Sequence, residues 1–202
     1  MNIIPTEHIV VPEIVRALQV GETVVYPTET SYGLGADATN ADAVAKLFAI
    51  KKRQAEKSML VLMSDVIMAK QYVAWSEALD ELARKYWPGA LTVVAPLRVG
   101  AAIAPGVIGE GNTLAFRVTS HPLAAALVQQ LGRPLVSTSA NISAQGSPYD
   151  CATVVRMFEH EVNQPDWILD AGNLPVRSPS TIVQVVPGEP LRVLRQGEVV
   201  VE

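Results

Sequence analysis

Short apolar runs alternate with amphipathic segments along this chain of 202 residues. The runs ETVVYP, SMLVLM, ALTVVAP and TLAFRV have the length and apolar content of buried strands. Segments 12–21, 40–53, 77–87, 120–132 and 149–160 repeat apolar residues at helical spacing. Strand and helix signals that alternate in this way predict an α/β domain.

Capping residues mark the ends of the predicted helices. Asn40, Ser76 and Ser120 are the expected N-caps of the second, third and fourth helices. Three closing strands, at 166–172, 180–186 and 190–197, follow one another too closely for parallel crossovers. We therefore expect one domain over 1–202, built on a mixed parallel and antiparallel sheet flanked by helices.

Composition excludes several classes of protein. Hydrophobic residues make up 49% and charged residues 18%, which is typical of a globular chain. No apolar run approaches the roughly 20 residues of a membrane span, and the N-terminus has no basic region before an apolar block. A cytoplasmic protein is expected. The single cysteine, Cys151, has no partner for an internal disulfide and is expected in a helix, half-buried.

The net charge of −4 argues against nonspecific binding of nucleic acid. Five basic residues nevertheless fall within positions 46–57, against one acid, Glu56: Lys46, Lys51, Lys52, Arg53 and Lys57. This cluster fits either a local anion site or a solvated helix end. Lys51 and Arg53 diverge on a regular helix, so they converge on one ligand only if the helix ends there.

Hydroxyl-rich segments follow two of the predicted strands. PTETSYG occupies 27–33 and STSAN occupies 137–141. Serine and threonine at a strand end often serve turns, but ligands of α/β sheets also bind beyond strand ends. Two such runs beside a basic cluster favour a binding site for carboxylates or phosphates.

Arg117 lies inside an otherwise apolar strand, where an unpaired charge is costly. A structural salt bridge and a carboxylate ligand explain it equally well. The sequence contains neither a Walker A motif nor a G-x-S-x-G elbow, and His8, His121 and His160 have no metal-ligand spacing. The chemistry is therefore expected to use neither a protein nucleophile nor zinc.

Several motifs together resemble the YrdC-like family of threonylcarbamoyl-AMP synthases. PTETSYGLGADA, KKRQAEKSMLVLM, WPGALTVV, LAFRVTSHP, PLVSTSANISAQGSP, ILDAG, STIVQV and VLRQG occur in the order and spacing of that family, from about residue 10 to 197. The resemblance is to the short bacterial form, since the printed sequence has no C-terminal extra domain. It implies a YrdC-like fold with an open concave substrate groove.

The resemblance also implies a reaction. L-threonine, bicarbonate and ATP would give threonylcarbamoyl-AMP and pyrophosphate, with Mg²⁺ carried on the ATP phosphates. The product would serve transferase proteins that modify adenosine next to the anticodon of certain tRNAs. Direct binding of tRNA or another RNA stays open, and no membrane is involved.

The family motifs imply roles for particular residues. Lys51 and Arg53 would be catalytic and, with five others, would bind ATP: Lys57, Thr113, Ser139, Asn141 and Arg195. Four would bind L-threonine, with Arg117 on the carboxylate: Thr30, Arg117, Thr138 and Ser180. No metal-ligating residues are implied, although Glu29 is a candidate for contacting the metal or the amine.

This chain departs from the family pattern at two positions. Two alternative functions also stay open. Gln54 stands where many members have proline, and Leu62 where longer relatives have histidine. The main alternative is an RNA-binding module of the same fold without adenylation activity. Relatives that have lost the Lys-x-Arg and Ser-x-Asn residues would suit that role, and both are intact here, which favours the enzyme. Carbamoyl adenylation, as in hydrogenase maturation proteins, is disfavoured because those chains are much larger.

Overall fold

A computed structural model describes residues 1–53 and 58–202 of the protein. Within those ranges the helices are α1 (Val11–Gln19), α2 (Ala41–Lys51), α3 (Val66–Tyr72), α4 (Glu77–Tyr86), α5 (Pro122–Leu131) and α6 (Cys151–Phe158). The strands are β1 (Asn2–Pro5), β2 (Val24–Pro27), β3 (Tyr32–Gly35), β4 (Val61–Met63), β5 (Leu91–Pro96), β6 (Thr113–Val118), β7 (Leu135–Val136), β8 (Thr138–Ser139), β9 (Trp167–Asp170), β10 (Thr181–Gln184) and β11 (Arg192–Arg195).

The strands form two sheets, each with parallel and antiparallel pairs. The first sheet has the order β1-β9-β2-β3-β8, and the second has the order β11-β10-β5-β6-β4-β7. The predicted α/β class and mixed pairing are confirmed. The three closing strands divide between the two sheets. In the first sheet, β9 pairs in parallel with β1 and β2. In the second sheet, β10 pairs in parallel with β5 and antiparallel with β11.

Two of the three predicted N-caps are confirmed. The Asn40 side chain accepts hydrogen bonds from the backbone of Asp42 and Ala43, and Ser76 Oγ accepts one from Leu79. The prediction for Ser120 is wrong, since His121 is the N-cap of α5 and gives no side-chain cap. Pro122 occupies the first turn, where its missing N–H removes one of the donors that a cap would satisfy.

The sequence patterns did not identify β1, β3 or α3. β3 contains Gly33 and Gly35, and glycine is more typical of a turn than of a strand. It pairs with β2 as the second strand of a hairpin, and a Cβ on Gly35 would collide with the carbonyl oxygen of Val136. Glycine at 35 thus allows β3 to pass close to the chain that leads into β8.

Buried apolar side chains from both sheets and from the helices form one continuous core. Helix α5 packs on α1 and contacts β2 and β4, one strand from each sheet. Cys151 is a helical residue, as predicted, but it is buried rather than half-buried. No helix in 1–53 or 58–202 is long and apolar enough to cross a bilayer.

Candidate functional site

A cleft of about 510 Å³ is lined by residues of both sheets. Alternate residues of two strands line it: Thr92 and Val94 of β5, and Ala115 and Arg117 of β6. Because successive side chains of a strand point to opposite faces, this spacing identifies one face of the second sheet as the floor. The first sheet contributes Gly33, Thr138 and Ser139, as part of the walls.

One wall is the four-residue loop between β2 and β3. Thr28 Oγ1 donates to the Ser31 carbonyl over 2.7 Å and accepts the backbone N–H of Thr30 and of Ser31. Thr28 is therefore a turn residue whose hydroxyl holds the loop. Thr30, predicted to bind threonine, is half-buried on the cleft, where its hydroxyl lies 3.1 Å from that of Thr28.

A neighbouring wall is the segment 137–141, where the chain passes from one sheet to the other; Ser137, Thr138 and Ser139 of this segment line the cleft. β7 pairs with β4 in the second sheet, and β8 pairs with β3 in the first. Ser139 Oγ donates to Asn141 Oδ1 over 2.5 Å, and the Asn141 amide donates to the carbonyl of Gln145. Hydrogen bonds within the segment thus hold the predicted ATP residues Ser139 and Asn141 in a fixed turn.

Lys51 reaches this wall from the end of α2. Its ammonium group is buried and donates to the carbonyl of Ser139, to the carbonyl of Asn141 over 2.7 Å and to Asn141 Oδ1 over 3.0 Å. These three acceptors match the three N–H groups of lysine. In this structure Lys51 therefore anchors the wall, although it also lines a neighbouring pocket.

The neighbouring pocket has a volume of about 400 Å³ and shares Arg53 and Ser139 with the main cleft. Helix α2 ends at Lys51, and Lys52 adopts a left-handed conformation with φ of 50°. This turn brings Lys51 and Arg53 to one pocket. The two residues were expected to converge only if the helix ended between them, and it does. Lys57 and Gln54 lie outside the described residues.

The ionisation of Lys51 should make stability depend on pH. Burial, together with the nearby charge of Arg53, lowers the pKa of Lys51 from 10.5 to about 7. Above about pH 7 the unfolded chain binds more protons here than the folded chain, so the free energy of unfolding rises with pH toward the unfolded pKa. Urea denaturation gives the free energy of unfolding of the wild type and of Lys51→Met. The difference between these two free energies should change by about 2 kcal/mol in favour of the wild type from about pH 7 to about pH 9. A difference independent of pH would contradict the lowered pKa.

Arg117 is 3% exposed at the floor of the cleft. Its Nε lies 3.2 Å from Glu29 Oε1, close enough for an ion pair but without the alignment of a hydrogen bond. The salt bridge that the sequence left open is therefore present. It does not exclude a ligand, because Arg117 also faces the cleft.

Arg195 and Ser180 meet at another part of the floor. Arg195 donates from Nε and Nη2 to the Ser180 carbonyl over 3.2 and 2.7 Å, and the Ser180 hydroxyl lies 2.9 Å from that of Thr92. Burial and the neighbouring charge of Arg117 lower the pKa of Arg195, and burial lowers the pKa of Arg53. The residues predicted for the two substrates therefore lie side by side.

The structure does not bring Thr113 to either pocket; its hydroxyl donates to the Glu110 carbonyl over 2.8 Å. Other described residues that the sequence patterns did not identify line the cleft, among them Thr92, Ser147, Tyr149 and Arg177. Thr92 had a usable signal, since it is the one polar residue in a strand of apolar neighbours. Arg177 had none, because it comes from a loop.

The chemistry of the lining is that of an anion site. Arg53, Arg117, Arg177 and Arg195 line the cleft with hydroxyl and apolar groups, and its described lining contains no carboxylate. No three acidic, histidine or cysteine side chains in the described ranges are grouped to hold a metal ion. The lining therefore suits carboxylates and phosphates, and the described residues do not fit a metal held by the protein itself.

Comparison with known proteins gives a consistent set of matches. The Sua5/YciO/YrdC family model, described as telomere recombination, matches residues 16–197. A protein of Coxiella burnetii named threonylcarbamoyl-AMP synthase is 37% identical over 183 residues, which cover 88% of this chain and 94% of that protein. A protein of the same name from Bacillus subtilis is 33% identical and matches 95% of this chain.

The structural comparison agrees with these matches. The crystal structure of P. abyssi Sua5 complexed with L-threonine superimposes with a TM-score of 0.86 at 30% identity and covers 98% of this chain. The matches cover 58% of that chain and 55% of the Bacillus subtilis protein, so this chain corresponds to only part of these two relatives.

Proposed function

This chain belongs to the Sua5/YciO/YrdC family, and we propose that it synthesises threonylcarbamoyl-AMP from L-threonine, bicarbonate and ATP, with release of pyrophosphate. The relatives that carry the name of this activity, and the relative crystallised with L-threonine, support the proposal. Transferase proteins that modify tRNA would then use the product.

The observation that carries the proposal is the convergence of four arginines and many hydroxyls on one cleft whose described lining has no acid. Threonine brings a carboxylate and ATP brings three phosphates, so the two substrates need more than one cationic group. Arginine presents a planar fork that matches both kinds of anion. Hydroxyl groups can meet the remaining polar atoms of either substrate.

The proposed chemistry takes its nucleophile from the substrates. The threonine amine adds to the carbon of bicarbonate, with loss of water, or to carbon dioxide, with loss of a proton, and forms a carbamate. A carbamate oxygen attacks the α-phosphorus of ATP, the bond from that phosphorus to the β-phosphate oxygen breaks, and pyrophosphate leaves. The protein's contribution would be to align the two reactants and to stabilise negative charge on the phosphates.

Mg²⁺ would enter as part of the ATP substrate. The described lining offers hydroxyls and cations but no carboxylate pair for the metal, so the ATP phosphates would carry the ion.

The proposal is tested with the purified protein, ATP, bicarbonate and labelled threonine. We expect pyrophosphate release that requires both threonine and bicarbonate, and a labelled adenylate that chromatography separates from AMP. Serine in place of threonine measures selectivity. Pyrophosphate release without threonine dependence, or none at all, contradicts the synthase; RNA binding in its place would favour the alternative function.

Arg53→Ala should reduce pyrophosphate release by about 100-fold or more, because the arginine would supply two charge-assisted hydrogen bonds to phosphate, each contributing about 1.5–3 kcal/mol. The measurement is kcat/KM for ATP at saturating threonine. Arg16→Ala, which removes an exposed arginine of α1, is the matched control. Activity near that of the wild type would contradict the phosphate assignment.

A further inference from the structure

Glu29 lies behind Arg117 and outside the lining of the cleft. Its Oε1 faces Arg117 Nε at 3.2 Å, and its carboxylate is 13% exposed. Within the described part of the chain, the two terminal nitrogens of Arg117 make no hydrogen bond. Arg117 therefore has one end of its guanidinium against an acid, while the other end has no protein acceptor.

Glu29 is itself held from the other side. Thr119 Oγ1 donates to Glu29 Oε2 over 2.7 Å and accepts the backbone N–H of His121 over 3.2 Å. His121 is the N-cap of α5, a helix that contacts both sheets. The carboxylate is thus connected through Thr119 to a rigid element of the core.

The charges around Glu29 identify its counter-ion. Burial lowers the pKa of His121, an effect that Glu29 only partly opposes, so the imidazole is neutral near pH 7. Arg117 is then the cation that balances the carboxylate. A buried guanidinium without this partner would be costly to keep in place.

We propose that Glu29 is a positioning residue: it holds Arg117 through Nε so that the two terminal nitrogens face the cleft and bind the carboxylate of threonine. The inference rests on the proposed function. A guanidinium fixed in this way loses less side-chain entropy on binding than a free one. It also differs from direct contact of Glu29 with the metal or the amine, because Glu29 does not line the cleft.

Isothermal titration calorimetry of threonine and of ATP, on the wild type and on Glu29→Gln, tests the proposal. We expect the Kd for threonine to rise about 10- to 100-fold, because Arg117 loses its buried ion-pair partner, and the Kd for ATP to change by less than about twofold. Glu29→Asp keeps the charge and should restore part of the affinity for threonine. Glu13→Gln, on the exposed face of α1, is the control.

Three outcomes decide between the explanations. Unchanged threonine affinity in Glu29→Gln overturns the positioning role, and so does equal weakening for threonine and ATP, which a merely structural ion pair would give. If Glu29→Gln does not fold, Thr119→Val loosens the carboxylate and should still weaken threonine binding by about three- to tenfold; no change overturns the proposal. A wild type that binds no threonine overturns the proposed function itself.

Discussion

Arg117→Ala should raise the KM for threonine by about 100-fold or more and change the KM for ATP by less than about threefold. The guanidinium is buried at the floor of the cleft, and its terminal nitrogens have no acceptor in the described chain. Two charge-assisted hydrogen bonds to a carboxylate would contribute about 3 kcal/mol or more together, and alanine replaces neither.

The measurement is steady-state pyrophosphate release with one substrate varied and the other saturating. Arg117→Lys keeps the charge but not the planar fork, so it should recover only part of the affinity. Thermal unfolding of each variant separates loss of binding from loss of the fold, since alanine leaves Glu29 without its partner. A rise in the KM for ATP instead of threonine would mean that the two substrates are assigned the wrong way round.

Lys51→Met should lower kcat/KM by about 1000-fold for both substrates. Methionine keeps the length of the side chain but supplies no donor to the carbonyls of Ser139 and Asn141. The segment 137–141 then loses its anchor, and the ATP residues within it lose their fixed geometry. Misplacement of binding groups by about 1 Å can reduce the rate by about 100-fold. The loss of the positive charge near the phosphates should reduce it further.

Hydrogen exchange gives a second measurement for this variant. Backbone amides of 137–145 should exchange faster in Lys51→Met than in the wild type, while those of α5 should not change. Lys85→Met, which removes an exposed lysine of α4, is the matched control. Activity within tenfold of the wild type would show that Lys51 neither anchors the wall nor serves the chemistry.

Local signals in the sequence predicted most elements of the fold. The helix periods, the strand runs and the caps at Asn40 and Ser76 depend on residues within a few positions of one another. β3 was not identified, because its two glycines have the composition of a turn. Gly35 instead permits a close approach to the carbonyl of Val136, about a hundred residues away, which no local pattern contains.

The candidate site was predicted as a set of residues rather than as an arrangement. Family motifs pointed to Lys51, Arg53, Arg117 and Arg195, and all four line one of two adjoining pockets. The partners of these cations were not predictable. Glu29 contacts Arg117 and Thr119, and the acceptors of Lys51 come from 139–141, all from parts of the chain that are remote in sequence.

The sequence by itself determined the α/β class, most of the elements and the chemical types that form the site, because these follow from local periodicity and from motifs. Only the tertiary structure decided that the segment 137–141 crosses between two sheets, that Lys51 gives its donors to that segment, and that Glu29 stands behind Arg117. These contacts join residues about 90 positions apart. Such pairs form only once both sheets have packed, so their geometry depends on the whole core.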